Sequence, residues 1–201
     1  MRELGALRRD ASALDDAGYR HLPGLVTGHA LVKLQQAFVD ALSPNTGDPS
    51  WVVLQQRLLA DPRVLGVGDA IRASVTDWVG PVVAHCGDIC RVAQPGHVTR
   101  PHQDAAYSRR EDALTVWVAV VDVPLHSGPL IVWPASHRLG LLDHGPGESG
   151  VTDARLTDSD WHGGALTAGD AIAFRALTVH ASLPNNGSTP RLSVDYRYWP
   201  A

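Results

Sequence analysis

The stretch ALTVWVAVVDV, residues 113–123, places Thr115, Trp117 and Ala119 on one side of an extended chain and Val116, Val118 and Val120 on the other. It therefore reads as a strand. Four shorter runs of the same character lie at 89–93, 130–133, 171–176 and 192–198, separated by turns rich in Gly, Pro and Asn. Short strands in this order, without helices alternating between them, predict a small antiparallel sandwich or barrel rather than βαβ units. The strand-rich part spans about 87–198.

Upstream the texture changes. Leu22, Leu25, Val26, Leu31, Leu34, Phe38, Val39 and Leu42 recur at helical spacing, predicting a helix over about 29–42 with Thr27 placed to cap it. Turn formers fill 43–49, and further helices are predicted at 51–59 and at about 69–79, where Ile71, Val75, Trp78 and Val79 share a face. A helical layer over about 10–85 thus precedes the β core, with 1–201 read as one domain. Residues 143–165 have no periodicity, and a stretch of that length is either a lid or binding loop or a plain surface excursion.

Composition narrows the function classes. With 201 residues and 44% apolar content, the chain can bury roughly two-thirds of its extended surface without metal or disulfide staples. Cys86 and Cys90 match neither a disulfide scaffold nor a zinc ribbon and read as reduced thiols. The opening residues lack an apolar signal core and no long apolar run occurs, so a cytoplasmic protein without a membrane partner is expected. Net charge is −4, Lys33 is the one lysine, and no basic stripe is present, which argues against nucleic acid as a partner.

The chemistry concentrates at His102-Gln103-Asp104 and His180. On a strand His102 and Asp104 point to one side, and two imidazoles with one carboxylate can hold Fe(II) on one face while leaving the other open. An isolated H-x-D is common in surface structure, so the neighbours matter. His180 ends the strand-like run that begins at Ala171, and the turn over 183–190 returns the chain so that Arg191 starts a strand near it. A guanidinium there is costly to bury unless paired, and its planar fork matches a carboxylate, which suits a diacid chelating the metal at its other end. Alternation puts Arg191, Ser193 and Asp195 on one face.

At these residues the chain resembles the phytanoyl-CoA dioxygenase-like family of Fe(II)/2-oxoglutarate oxygenases. The likeness rests on His102-Gln103-Asp104, the strand 115–120, Gly128-Pro129-Leu130, Pro134-Ala135-Ser136-His137, Gly169-Asp170, His180 and Arg191-x-Ser193, covering roughly 15–198. It implies a mainly β fold, a double-stranded β-helix (jelly-roll, cupin-like) core, with the helical layer outside. It further implies that His102, Asp104 and His180 are catalytic metal ligands for Fe(II), and that Arg191 binds the distal carboxylate of 2-oxoglutarate, with Ser193, Trp117 and Gln94 as further cosubstrate contacts. Trp117 also fits as ordinary core.

The implied reaction uses O2 and releases succinate and CO2 while hydroxylating a small molecule. The chain is short for the family, which weakens any inference toward acyl-CoA substrates, and Arg-rich, Lys-poor composition leans toward a natural-product intermediate, free or tethered to a carrier protein. Trp133, Tyr107, Arg109 and Arg110 are candidates for substrate contact. Two other classes remain in view: a cupin-like metal enzyme without 2-oxoglutarate, and a non-catalytic small-molecule binding module. Retention of Asp104 disfavours halogenation. His137 is read as a support for its own turn, His97 and His144 as polar loop residues, and His126 and His162 are unassigned.

Overall fold

β5 (Leu114–Ala119) is buried along its whole length, because it lies between two other strands of one sheet and is covered on both faces. The computed structural model describes residues 12–43, 50–84, 87–146, 150–158 and 160–201. Cys86 and most of the turn-rich 43–49 stretch fall outside them. The sheet runs β1 (Tyr19–Leu22), β8 (Ala171–Arg175), β5, β10 (Arg191–Pro200), β2 (Val82–Ala84), with β3 (Ile89–Ala93) also paired to β10. A second sheet runs β4 (Thr99–His102), β9 (His180–Ser182), β6 (Leu130–Val132), β7 (His162–Gly163). The named pairings are all antiparallel.

The two sheets meet through Trp117, Ile172 and Phe174 from the first and Leu130 and Val132 from the second, which makes the core a double-stranded β-helix. Register decides what faces inward. Ser193 pairs with Ala119, Asp195 with Trp117 and Arg197 with Thr115, so the polar residues of β10 share the inner face with Trp117.

The outer face carries Val116, Val118, Val194, Tyr196 and Tyr198, and the helical layer packs on it. That layer comprises α2 (Gly28–Ala41), α3 (Trp51–Leu59) and α4 (Pro62–Val79), following the short α1 (Ser12–Asp16) and β1. Phe38, Leu58, Val64, Ile71, Val75 and Trp78 supply its apolar stripe, and each such burial contributes roughly 1.5–3 kcal/mol. The hydroxyls of Tyr196 and Tyr198 donate to the carbonyls of Val64 (2.9 Å) and Gly68 (2.7 Å), pinning α4 to the sheet. A Cβ on Gly68 would stand 2.9 Å from the Tyr196 ring, so glycine is what lets the helix seat so closely. Among the described residues no helix is long and apolar enough to cross a membrane.

Several expectations need correction. The helix expected from 69 begins at Pro62, because Asp61 accepts from Arg63 N (2.8 Å) as a cap and Pro62 fits a first-turn position, while Gly66 and Gly68 blur the apolar spacing there. Thr27 does stand at the N-cap of α2, but its hydroxyl makes no capping bond. The helical layer also contains an edge strand, β1, paired to β8.

The strand expected to reach Val123 stops at Ala119, where the chain turns to exchange backbone bonds between Val123 and Leu166. The run from Ala171 does not continue to His180. β8 ends at Arg175, a turn bonds Thr178 N to Arg175 O (2.8 Å), and His180 opens β9 in the other sheet. The stretch 143–165 is not without structure either: it contains a bridge between His144 and Val151, a 3-10 turn Ala154–Asp158, and β7.

Gly169-Asp170 locks the lead-in of α2 onto the sheet. Val26 N donates to Gly169 O (3.0 Å), and the Asp170 carboxylate accepts from Gly24 N (2.7 Å) and Thr167 N (2.8 Å). Gly169 has φ +89°, and a Cβ there would lie 1.9 Å from the Val26 carbonyl oxygen. Gly169→Ala is therefore expected to destabilise by about 3 kcal/mol or more through steric and backbone strain. Gly66→Ala, in open space on α4, is expected to stabilise by about 0.5–1 kcal/mol. Urea denaturation of the two variants beside wild type measures both.

Candidate metal centre

His102 closes β4 and His180 opens β9, and the two are register partners, so their rings lie side by side with centroids 4.1 Å apart. Asp104 follows two residues on, at the entrance to the short α5 (Ala105–Ser108). Its Oδ1 is 3.8 Å from Nε2 of each histidine, and one ligand atom from each of the three residues falls within a 4.8 Å set. All three side chains are buried.

Each imidazole is oriented from behind. Nδ1 of His102 donates to Arg100 O (2.8 Å) and Nδ1 of His180 to Thr178 O (3.0 Å), a tautomer that leaves Nε2 as a bare lone pair toward Asp104. Burial pushes His102 down to about 3 and lowers His180 as well, so both are neutral near pH 7. For Asp104 burial opposes ionisation, but the Arg197 guanidinium and the Thr115 hydroxyl that donate to it hold it well below the usual carboxylate range. Asp104 Oδ2 accepts from Thr115 Oγ1 (2.6 Å) and Oδ1 from Arg197 Nη2 (3.1 Å). Two neutral imidazoles and a carboxylate in this arrangement fit a divalent metal.

Beside the histidines a pocket is walled by Trp117, Phe174, Leu130, Arg91, Arg191 and Asp195. Arg191 is 2% exposed, donates Nη1 to Gly128 O (2.5 Å) and lies 5.6 Å from the Trp117 ring centroid. Its Nε has no hydrogen-bond partner, and no ion pair is formed by Arg191 among the described residues. Burial and then the charge of Arg91 push its pKa down to about 10, which still leaves it protonated near pH 7. Arg91 itself is paired with Asp195 Oδ2 (2.9 Å), while Ser193 Oγ and Asp195 Oδ1 are buried without partners. Orphaned polar atoms around an uncompensated guanidinium fit a pocket for an anion.

The remaining expected residues are placed as follows. Tyr107 is half exposed on α5, edge-on to His102 at 5.8 Å, and Arg109 is exposed at the left-handed end of that helix, φ 56°. Trp133 is half-buried just past β6, its N donating to Val179 O (2.9 Å). Gln94 is exposed in the turn after β3 and is not among the pocket-lining residues. Arg110 pairs with Asp112 and stacks over Trp199 at 4.8 Å. His137 bonds Asp15 O (3.1 Å), and His162 bonds the Tyr19 hydroxyl (2.7 Å) across the edges of the two sheets.

Two contacts on Asp104 escaped the sequence reading, Thr115 as a hydrogen-bond donor and Arg197 as a counterion. Arg197 was within reach of it: one more step of the alternation Arg191, Ser193, Asp195 lands on Arg197. The Arg91–Asp195 pair, 104 residues apart, had no comparable signal. A separate groove of 490 Å³ between α2 and α4 shares no residue with the metal-site pocket.

Known proteins resemble this chain in sequence and in fold. The 1-deoxypentalenic acid 11-beta-hydroxylase of Streptomyces arenae is 28% identical over 123 residues, 54% of this chain and 44% of that protein. The methylphosphonate hydroxylase of Gimesia maris is 32% identical over 99 residues, 48% of this chain and 37% of that protein. The chain thus matches less than half the length of these curated relatives. Among solved structures, the epimerase SnoN in complex with Fe3+, alpha ketoglutarate and nogalamycin RO superposes with a TM-score of 0.78 at 23% identity, over 95% of this chain and 82% of that one, a likeness of fold. The family model of phytanoyl-CoA dioxygenase (PhyH) matches residues 14–193, and the chain belongs to that family.

Proposed function

We propose that the chain is an Fe(II)- and 2-oxoglutarate-dependent oxygenase that oxidises, most simply by hydroxylation, a small molecule of the natural-product type. The observation that carries the reading is the convergence of His102, Asp104 and His180 one pocket away from Arg191, a buried guanidinium with no ion-pair partner among the described residues. In this reading the triad holds the metal and Arg191 takes the far carboxylate of 2-oxoglutarate, with Ser193 and Trp117 beside it. When bound, iron with 2-oxoglutarate and O2 supplies the oxidising power for attack on a C–H bond, with succinate and CO2 as coproducts.

The protein supplies placement. Thr115 and Arg197 hold the Asp104 carboxylate, the Arg100 and Thr178 carbonyls set the imidazole tautomers, and Phe174, 4.3 Å from the His180 ring, walls the pocket. The substrate is proposed to approach over Tyr107, whose exposed ring reaches both His102 and His144, with Arg109 and Trp133 as outer contacts. A free molecule and one carried on a carrier protein are both served by such an open approach. The two curated hydroxylases support hydroxylation as the outcome.

Anaerobic addition of 2-oxoglutarate to the Fe(II)-loaded protein is expected to produce a visible charge-transfer band. Arg191→Ala is expected to raise the 2-oxoglutarate concentration for half-formation by roughly 30-fold or more, the lower end of the cost of truncating one partner of a buried charge pair. Bound iron without any band would instead point to a 2-oxoglutarate-independent metal enzyme.

Asp104→Ala is expected to keep its far-ultraviolet circular dichroism while metal affinity falls by at least about 100-fold, the upper range seen even for residues behind the ligands. Metal content after equilibrium dialysis reads this out, and full loading of the variant would remove Asp104 from the ligand set.

A further inference from the structure

Gln103 stands between two of the three candidate ligands, yet its side chain points away from them and is fully buried. Its amide makes three hydrogen bonds. Nε2 donates to Gly140 O (2.9 Å) and Leu177 O (2.7 Å), and Oε1 accepts from Leu142 N (2.8 Å). Its backbone N donates to His144 Nε2 (3.2 Å), while His144 Nδ1 donates to Leu142 O (2.8 Å), which fixes the tautomer that accepts.

Three parts of the molecule therefore meet at one side chain. The first is the His102–Asp104 turn itself. The second is the turn ahead of His180: Leu177, held by Gln103, adjoins Thr178, whose carbonyl orients His180. The third is the hairpin of residues 140–146 and 150–152. It is bound by Gly145 N to Gly150 O (2.8 Å) and Thr152 N to Asp143 O (3.0 Å), and it sits on β4 through Val151 N to Pro101 O (2.8 Å). Gly150, φ +77°, approaches so closely that a Cβ would lie 2.4 Å from Pro101 O. The hairpin also carries His144, whose ring packs edge-on against Tyr107.

We propose that Gln103 is a positioning residue that couples metal occupancy at the triad to the order of this hairpin, and so to the rim over which substrate approaches. The inference rests on metal binding by His102, Asp104 and His180. Drawing the three ligands together fixes the backbone at 102–104 and at 177–180, and the Gln103 amide is hydrogen-bonded to the hairpin from one and to the other turn directly. A metal-free site leaves both turns looser, and the three bonds between Gln103 and the hairpin break more readily.

The test is hydrogen exchange by mass spectrometry on the full chain, metal-free and with saturating Zn(II), which fills the site without redox chemistry. Zn(II) affinity is measured in parallel by calorimetry. In wild type the hairpin amides, Leu142 and Val151 among them, are expected to exchange about tenfold slower with Zn(II), while α4 is unchanged. In Gln103→Leu that slowing is lost at saturating Zn(II), and affinity falls on the order of 10–100-fold.

His144→Ala removes the bond from Gln103 N and leaves the buried amide intact, so it serves if the Leu variant does not fold; its slowing is expected to shrink to about threefold. A residue that merely supports the fold would loosen the hairpin equally with and without metal. Zn(II) binding without any change in wild-type hairpin exchange, or a folded Gln103→Leu that keeps the full slowing, overturns the coupling alone. Failure of wild type to bind Zn(II) overturns the coupling and the metal-site reading together.

Discussion

Three acceptors, the bare Nε2 lone pairs of His102 and His180 and the Oδ1 of Asp104, face one another inside the protein with both imidazoles neutral and only Oδ1 bonded, to Arg197. Left to themselves such groups repel and are poorly solvated, and a cation between them resolves the conflict. Much of the inner face of the β-helix is arranged to keep them in place. Backbone carbonyls grip the far side of each imidazole, Thr115 and Arg197 grip the carboxylate, and the register between β4 and β9 sets the two rings side by side.

Arg191 presents the opposite imbalance. It is a buried cation that donates to the Gly128 carbonyl and forms no ion pair among the described residues, and its neighbour Arg91 is already neutralised by Asp195. A dianion with one end at the metal and the other at Arg191 would relieve both conflicts at once. The site thus sets a cluster of metal-ligating acceptors against an unpaired guanidinium, with Trp117 and Phe174 lining the pocket between them.

How much of this could be read beforehand follows from the range of each signal. Residues i and i+2 on a strand share a face whatever the rest of the fold does, so Arg191 with Ser193 was legible from local spacing, as were the apolar helices at 28–41 and 51–59; His102 and Asp104 do converge, but Asp104 lies past the end of β4 with helical backbone, so a turn and not strand alternation brings them together. Readings that needed the partner strand failed. His180 looked like the end of the run from Ala171 because nothing local marks the crossing between sheets after Arg175. β4 and β9 are short and polar because the metal site occupies their inner face, which removes the apolar alternation that identifies a strand. The part played by Gln103 had no local signal, since its side-chain partners are 37 to 74 residues distant.

β10 presents its two faces to different compartments. Arg191, Ser193, Asp195 and Arg197 lie on the inner face, Arg191 and Asp195 lining the pocket, while Tyr196 and Tyr198 point outward to hold α4 at Val64 and Gly68. One strand is thus both a wall of the pocket beside the histidines and the anchorage of a helix. The helical layer and the pocket wall are joined through that strand, which gives a packing fault on α4 a covalent route toward the pocket without any change in a residue that lines it.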